Sequence, residues 1–245
     1  RLDRELQMAR EIQQSLLPAS MPVIPGFQVA ARWEAAREVA GDFYDGFPLP
    51  DGRLAVVIAD VSDKGAPAAL FMAVARTMIR AHAHLGLSAI DTMSRTNDLI
   101  LEDADSGMFV TVYHSVFDPD GNSVHVNAGH NPPLLYRHAT GAVEFMPRGG
   151  RAIGWFANNP LREVELKLQP GDMLVYYTDG VTEAQNIQIE FFGEERLAEL
   201  VVHCATSGMS PQATIDVIVS AVDEFCTGMP PFDDQTIVVV RYSGS

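Results

Sequence analysis

Phe109-Val-Thr-Val-Tyr-His-Ser-Val-Phe117, Asp118-Pro-Asp-Gly-Asn122 and Ser123-Val-His-Val-Asn127 follow one another without a break, and their reading decides the fold. The outer runs are rich in Val, Phe and Tyr, which suit a pleated, half-buried surface. The middle run carries the Pro, Asp, Gly and Asn of a tight turn. Strands joined by so short a connection pair antiparallel. Similar β-like runs stand at Phe27–Trp33, Leu54–Asp60, Val164–Leu168, Met173–Thr178 and Thr236–Tyr242, and Gln169-Pro-Gly-Asp172 is another turn. Helical patterns are grouped apart from them, Pro67–His84 with Ser88–Ala104 and Glu194–His203 with Ser210–Phe225. Ser210 before Pro211 makes an N-cap and first turn, and Ile215, Ile218, Val222 and Phe225 share one face. Antiparallel strands with segregated helix pairs predict an α+β fold, its sheets covered by helices.

The chain has 245 residues, 47% of them hydrophobic and 20% charged, which suits a packed domain rather than a disordered one. Its net charge of −15 argues against nucleic acid or an anionic membrane surface as partner, since both need a basic footprint. A phosphorylated partner would gain no long-range attraction either, so phosphate must be recognised locally. No apolar run is long enough to span a bilayer, and no secretory signal pattern is present, so a cytoplasmic location is expected. The chain begins at Arg1 without a Met, as a fragment of a longer protein would.

Residues 1–20 are expected to form a linker helix ending at Pro18, with the main domain over 21–245. Leu2, Leu6, Ala9, Gln13 and Leu16 follow heptad steps, which fit either a homodimer seam or a short helix folded back on the domain. Pro18–Gly26 reads as a linker. Cys204 and Cys226 read as small buried apolar residues rather than a disulfide or a nucleophile.

Acidic residues cluster at strand ends. Asp42 and Asp45 lie in Gly41-Asp-Phe-Tyr-Asp45, Asp60 and Asp63 follow one apolar strand, Asp179 follows another, and Asp233-Asp234 precede a third. A carboxylate at a buried strand end is costly unless a cation pairs with it, and converging carboxylates raise one another's pKa. Hard oxygen donors without Cys or His favour Mg2+ or Mn2+, and two such ions could activate a water and hold a phosphate. A cysteine phosphatase is excluded, because it requires an Arg at a fixed step after its Cys and Ser210 and Phe232 stand there. No EF-hand loop is visible. Gly149-Gly-Arg-Ala-Ile-Gly154 has the wrong spacing for a nucleotide loop and reads as a turn.

The segments Arg37-Glu-Val-Ala-Gly-Asp-Phe-Tyr-Asp45, Asp60-Val-Ser-Asp-Lys-Gly65, Asn127-Ala-Gly-His-Asn-Pro-Pro133, Thr178-Asp-Gly-Val-Thr-Glu-Ala184 and Asp233-Asp-Gln-Thr236 stand in the order of a known motif set. Together they resemble the bacterial sporulation and stress-response (SpoIIE/RsbU-like) branch of the PP2C-type serine/threonine phosphatases. The resemblance runs from about Phe27 to Tyr242. It implies a four-layer αββα sandwich and two Mn2+ or Mg2+ ions. Asp42 and Asp60 would then serve both metals with the Val61 carbonyl, and Asp179 and Asp233 would complete the second. These four aspartates form the expected catalytic set, with Asp45 and Asp234 as neighbouring or outer ligands. The resemblance further implies a phosphoserine or phosphothreonine substrate on an anti-sigma-factor antagonist of the STAS type, and an upstream sensor domain joined through the N-terminal helix. A non-catalytic module binding a regulator on the same fold is the alternative. Ala40 and Asp63 replace glycines usual in the family, which matters only if their φ is positive. The phosphate-binding Arg of eukaryotic members has no counterpart here, although Arg37 lies nearby. His130 is expected to be structural.

Overall fold

The computed structural model describes residues 1–103 and 107–244. One five-stranded sheet has the order β1 (Phe27–Glu34), β10 (Gln235–Tyr242), β9 (Met173–Tyr177), β6 (Leu134–Arg137), β7 (Ala142–Phe145). The other runs β2 (Asp42–Pro48), β3 (Leu54–Val61), β4 (Val110–Phe117), β5 (Asn122–Ala128), β8 (Glu163–Lys167). Every neighbouring pair is antiparallel. The Asp118–Asn122 turn does join β4 to β5, closed by Asp118 accepting from the Asp120 and Asn122 N–H groups at 2.9 and 3.0 Å.

The sheets stack face to face, and a pair of helices covers each outer face. α2 (Ala66–His84) and α3 (Ala89–Asp103) lie on the β2–β3–β4–β5 side, α5 (Gly193–Thr206) and α6 (Pro211–Phe225) on the other. The expected helix end at Ala104 lies outside the described residues. Alternation along β9 shows why its sequence is apolar throughout. Leu174 and Tyr176 face the opposite sheet, whereas Met173, Val175 and Tyr177 face α5 and α6. The Tyr176 hydroxyl donates to Ser115 Oγ across the sheet interface at 2.8 Å. This is the α+β four-layer sandwich expected, with β2, β6 and β7 added.

The N-terminal helix α1 (Leu2–Leu16) is fixed at its C-terminal end. Gln13 is buried, and its amide both donates to the Ala40 carbonyl at 2.7 Å and accepts from the Ala40 N–H at 2.9 Å. Leu17 and Ile24 enter the main core, so the stretch after Pro18 is packed rather than loose. Gly46 lets it pass, because a Cβ there would run into Met21. Met8 and Ile12, on the other face of α1, are exposed. Cys204 is buried and Cys226 half-buried, and both are free thiols. Among the described residues no helix is long and apolar enough to cross a membrane.

A carboxylate-lined candidate metal centre

The topology gathers the acidic segments at one end of the sandwich. Asp42 opens β2 and pairs directly with Asp60 near the end of β3. β9 and β10 are antiparallel neighbours, with Tyr177 opposite Ile237, so the residues after β9 and before β10 reach the same end. Asp60, Val61, Asp179, Asp233 and Asp234 line one cavity of about 310 Å³ together with Ser62, Lys64, Phe109, Thr111, His130 and Asn131. Asp42 lies behind it, buried, its Oδ2 accepting from the Thr178 and Thr236 hydroxyls at 2.6 and 3.0 Å.

The electrostatics are those of negative charge without enough counter-charge. Burial first, then Asp60 and Asp234, pushes the Asp42 carboxyl well above the usual carboxylate range. Burial pushes Asp60 up to about 7, with Asp233, Asp179 and Asp234 adding to the rise and a hydrogen bond with Asp42 opposing it. Like charges directly opposite on paired strands are destabilising, so the Asp42–Asp60 pair carries a real cost. Asp233 is also raised by burial, against the pull of Lys64, whose Nζ stands 3.6 Å away. Among the described residues lining the cavity, Lys64 is the only cation.

Separate donors fix the individual carboxylates. Asp179 Oδ1 accepts from Asn131 Nδ2 at 2.6 Å. Asp234 takes the N–H groups of Ala36, Gly41 and Asp42 at 2.9, 3.0 and 3.4 Å, and so fixes the loop that delivers Asp42. Among the described residues no three Asp, Glu, His or Cys side chains close into a ready ligand set. The donor chemistry nevertheless fits hard divalent cations: all the donors are oxygens, and burial with mutual repulsion raises the carboxyls of Asp42 and Asp60 as it does where counter-charge is short.

Asp45 is not part of this arrangement. It lies three residues beyond Asp42 on one strand and therefore faces the opposite side, toward α2. Arg80 grips it with Nε at 2.8 Å and Nη2 at 2.6 Å, and Arg76 Nε stands 3.6 Å away. Its expected ligand role gives way to a buried ion pair. Ala40 and Asp63 cause no strain, since Asn158 and Ile189 are the positive-φ non-glycines among the described residues. His130 has both ring nitrogens engaged: Nε2 donates to the Tyr177 carbonyl at 3.0 Å, and Nδ1 takes the Thr111 hydroxyl at 2.9 Å. Burial holds it neutral, with a pKa lowered to about 4. Arg37 is exposed beside a small cleft that also touches Lys64, Asp233 and Asp234. Sequence reasoning missed Lys64, Asn131, Thr178 and Thr236 as individual contributors, though all four stand inside the quoted motifs.

Residues 50–243 match the family model described as Stage II sporulation protein E (SpoIIE). The protein IcfG of Synechocystis sp. is 35% identical over 265 aligned positions, covering 96% of this chain and 41% of IcfG. The phosphoserine phosphatase RsbU of Bacillus subtilis is 25% identical, covering 97% of this chain and 70% of RsbU. The SiaA-PP2C domain of Pseudomonas aeruginosa superposes with a TM-score of 0.83 at 22% identity, over 98% of this chain and 97% of that one, and shows the shared fold.

Proposed function

Because this chain belongs to the Stage II sporulation protein E (SpoIIE) family, we propose that it is a metal-dependent protein serine/threonine phosphatase. The observation that carries this reading is the cavity where carboxylates from separate segments meet, with Lys64 as the lone cation among the described residues lining it. Asp42, Asp60, Asp179, Asp233 and the Val61 carbonyl would hold two Mn2+ or Mg2+ ions. When bound, such ions supply a water of lowered pKa and positive charge for phosphate oxygens. Lys64, exposed and 3.6 Å from Asp233, is suited to a phosphate oxygen beside the carboxylates. Thr178 and Thr236 orient Asp42, Asn131 orients Asp179, and Asp234 holds the backbone of Gly41 and Asp42. The buried His130 ties the Thr111 and Tyr177 strands together through its two ring nitrogens.

The substrate on this reading is a phosphoserine or phosphothreonine on an anti-sigma-factor antagonist in the cytoplasm. The resemblance to RsbU, itself named a phosphoserine phosphatase, supports that reading. The catalytic domain would span 21–245, with residues 1–20 joining it to an upstream sensor or to a second copy. Matched phosphoserine and phosphotyrosine peptides, incubated with Mn2+, test the activity. Phosphate release from the first and little from the second is expected. No release from either, with metal bound, would favour the non-catalytic regulator-binding module.

A further inference from the structure

Phe109 lines the carboxylate cavity, and its ring does not end there. Trp155 stacks on it at 4.6 Å between centroids with the planes 10° apart, and Phe156 stacks on Trp155 at 5.2 Å and 22°. The Arg151 guanidinium caps the row, 4.9 Å over Phe156. Trp155 is 53% exposed and Phe156 40%, although both are large apolar side chains with a packed core nearby. Scattered exposed aromatics are ordinary, but a continuous row starting in the wall of a polar cavity is not.

The row is also held rigidly. Buried Asn97 on α3 accepts from the Gly154 N–H and donates to the Phe156 carbonyl, both at 2.9 Å, and so clamps the backbone on either side of Trp155. Asn159 accepts from the Arg151 N–H at 2.9 Å and donates to the Arg151 carbonyl at 2.6 Å, which closes the loop from its far end. Ile153 exchanges backbone hydrogen bonds with Val110 at 2.8 and 3.0 Å, fixing the loop to the strand that follows Phe109. The rings are therefore presented outward on a fixed frame.

We propose that Trp155 and Phe156 form a docking ledge for the phosphorylated segment of the partner protein, selecting large apolar side chains close in sequence to the phosphorylated residue. This rests on the phosphatase reading. Two stacked steps reach at most about 10 Å, the length of about three residues of extended chain, so the ledge meets positions within about three of the phosphorylated one. A chain of net charge −15 offers a phosphosegment no long-range attraction. Short-range apolar contact beside the cavity supplies affinity that salt does not screen, and rigid aromatic anchors do so at low entropic cost.

The test uses three probes with Mn2+ present: p-nitrophenyl phosphate, a phosphoserine peptide with Leu or Phe two and three residues away, and the same peptide with Ser and Gly there. The wild-type chain and the W155A/F156A variant are compared by kcat/KM, and solution mass is measured for both. Wild type is expected to favour the apolar-flanked peptide about tenfold. The variant should lose that preference, with the ratio of peptide to p-nitrophenyl phosphate turnover falling to match. A preference retained in the variant, or absent from wild type while p-nitrophenyl phosphate is hydrolysed, overturns the ledge alone. A wild-type dimer that becomes monomeric in the variant assigns the rings to a second copy of this chain and also overturns it. No turnover of any probe by wild type contradicts both the ledge and the phosphatase reading.

Discussion

Gly180 packs so closely on the main-chain carbonyl of Asp234 that a Cβ at position 180 would overlap it. The contact joins the short helix α4 (Asp179–Thr182), which begins with Asp179, to the turn that carries Asp233. It therefore sets the separation of two of the proposed metal ligands. Gly180→Ala must push the Asp234 carbonyl aside and disturb the amides that Asp234 holds in the Gly41–Asp42 loop. Turnover is expected to fall by at least about a hundredfold, the scale seen when reacting groups move by about 1 Å. Wild-type kinetics in purified Gly180→Ala would contradict this.

The Asp45–Arg80 pair should matter for stability and not for chemistry. Removing the carboxylate leaves two arginines beside a buried surface, and breaking a buried pair costs about 3 kcal/mol. Asp45→Asn should lower Tm by roughly 6–12 °C for a domain of this size. The Mn2+ concentration for half-maximal turnover should stay at the wild-type value. A large shift in that concentration would return Asp45 to the metal centre.

His125 gives a pH signature. Burial is the main cause that lowers its pKa to about 3, and Ser115 and Ser123 occupy its ring nitrogens at 2.8 Å each. The unfolded chain, with an ordinary His pKa near 6.5, then binds more protons on acidification. The stability from neutral His125 is present above about pH 6.5 and is lost as pH falls toward the folded value. The raised carboxyls of Asp42 and Asp60 act in the opposite sense, so the comparison must cancel them. The Tm difference between wild type and His125→Gln should shrink steadily from pH 7 to pH 5. A constant difference would show that His125 is not buried neutral.

Much of this was readable in the sequence, for a physical reason in each case. The β4–β5 turn, the apolar runs of β3, β9 and β10, and the caps of α6 are local signals. β2 was not read as a strand, because Asp42, Asp45, Gly46 and Pro48 depress β propensity and only pairing with β3 overrides them. That miss explains the one over Asp45: once 42–48 is a strand, positions 42 and 45 fall on opposite faces. β6 and β7 are four residues each, too short for a periodic signal. Trp155 and Phe156 are adjacent without periodicity, and their stacking on Phe109 depends wholly on tertiary placement.

The Gln13–Ala40 clamp ties the N-terminal helix to the loop that delivers Asp42. Gln13→Ala leaves the buried Ala40 N–H and carbonyl without partners, at a cost of about 1–3 kcal/mol. The Mn2+ requirement for turnover is expected to rise, while solution mass reports separately on any dimer formed through exposed Met8 and Ile12. Unchanged metal requirement and unchanged mass would leave α1 a passive tether.

The central claim is that the Asp60–Asp179–Asp233 end of the sandwich binds divalent metal and hydrolyses phosphate there. The direct measurement is p-nitrophenyl phosphate turnover against Mn2+ concentration for wild type, Asp179→Asn and a Cys204→Ala/Cys226→Ala double variant. The account predicts saturable, chelator-sensitive turnover in wild type, nearly the same in the cysteine-free chain, and a loss of at least about a hundredfold in folded Asp179→Asn, since a neutral amide keeps the shape and removes the charge. Full activity in Asp179→Asn, or turnover that survives chelation, would contradict it.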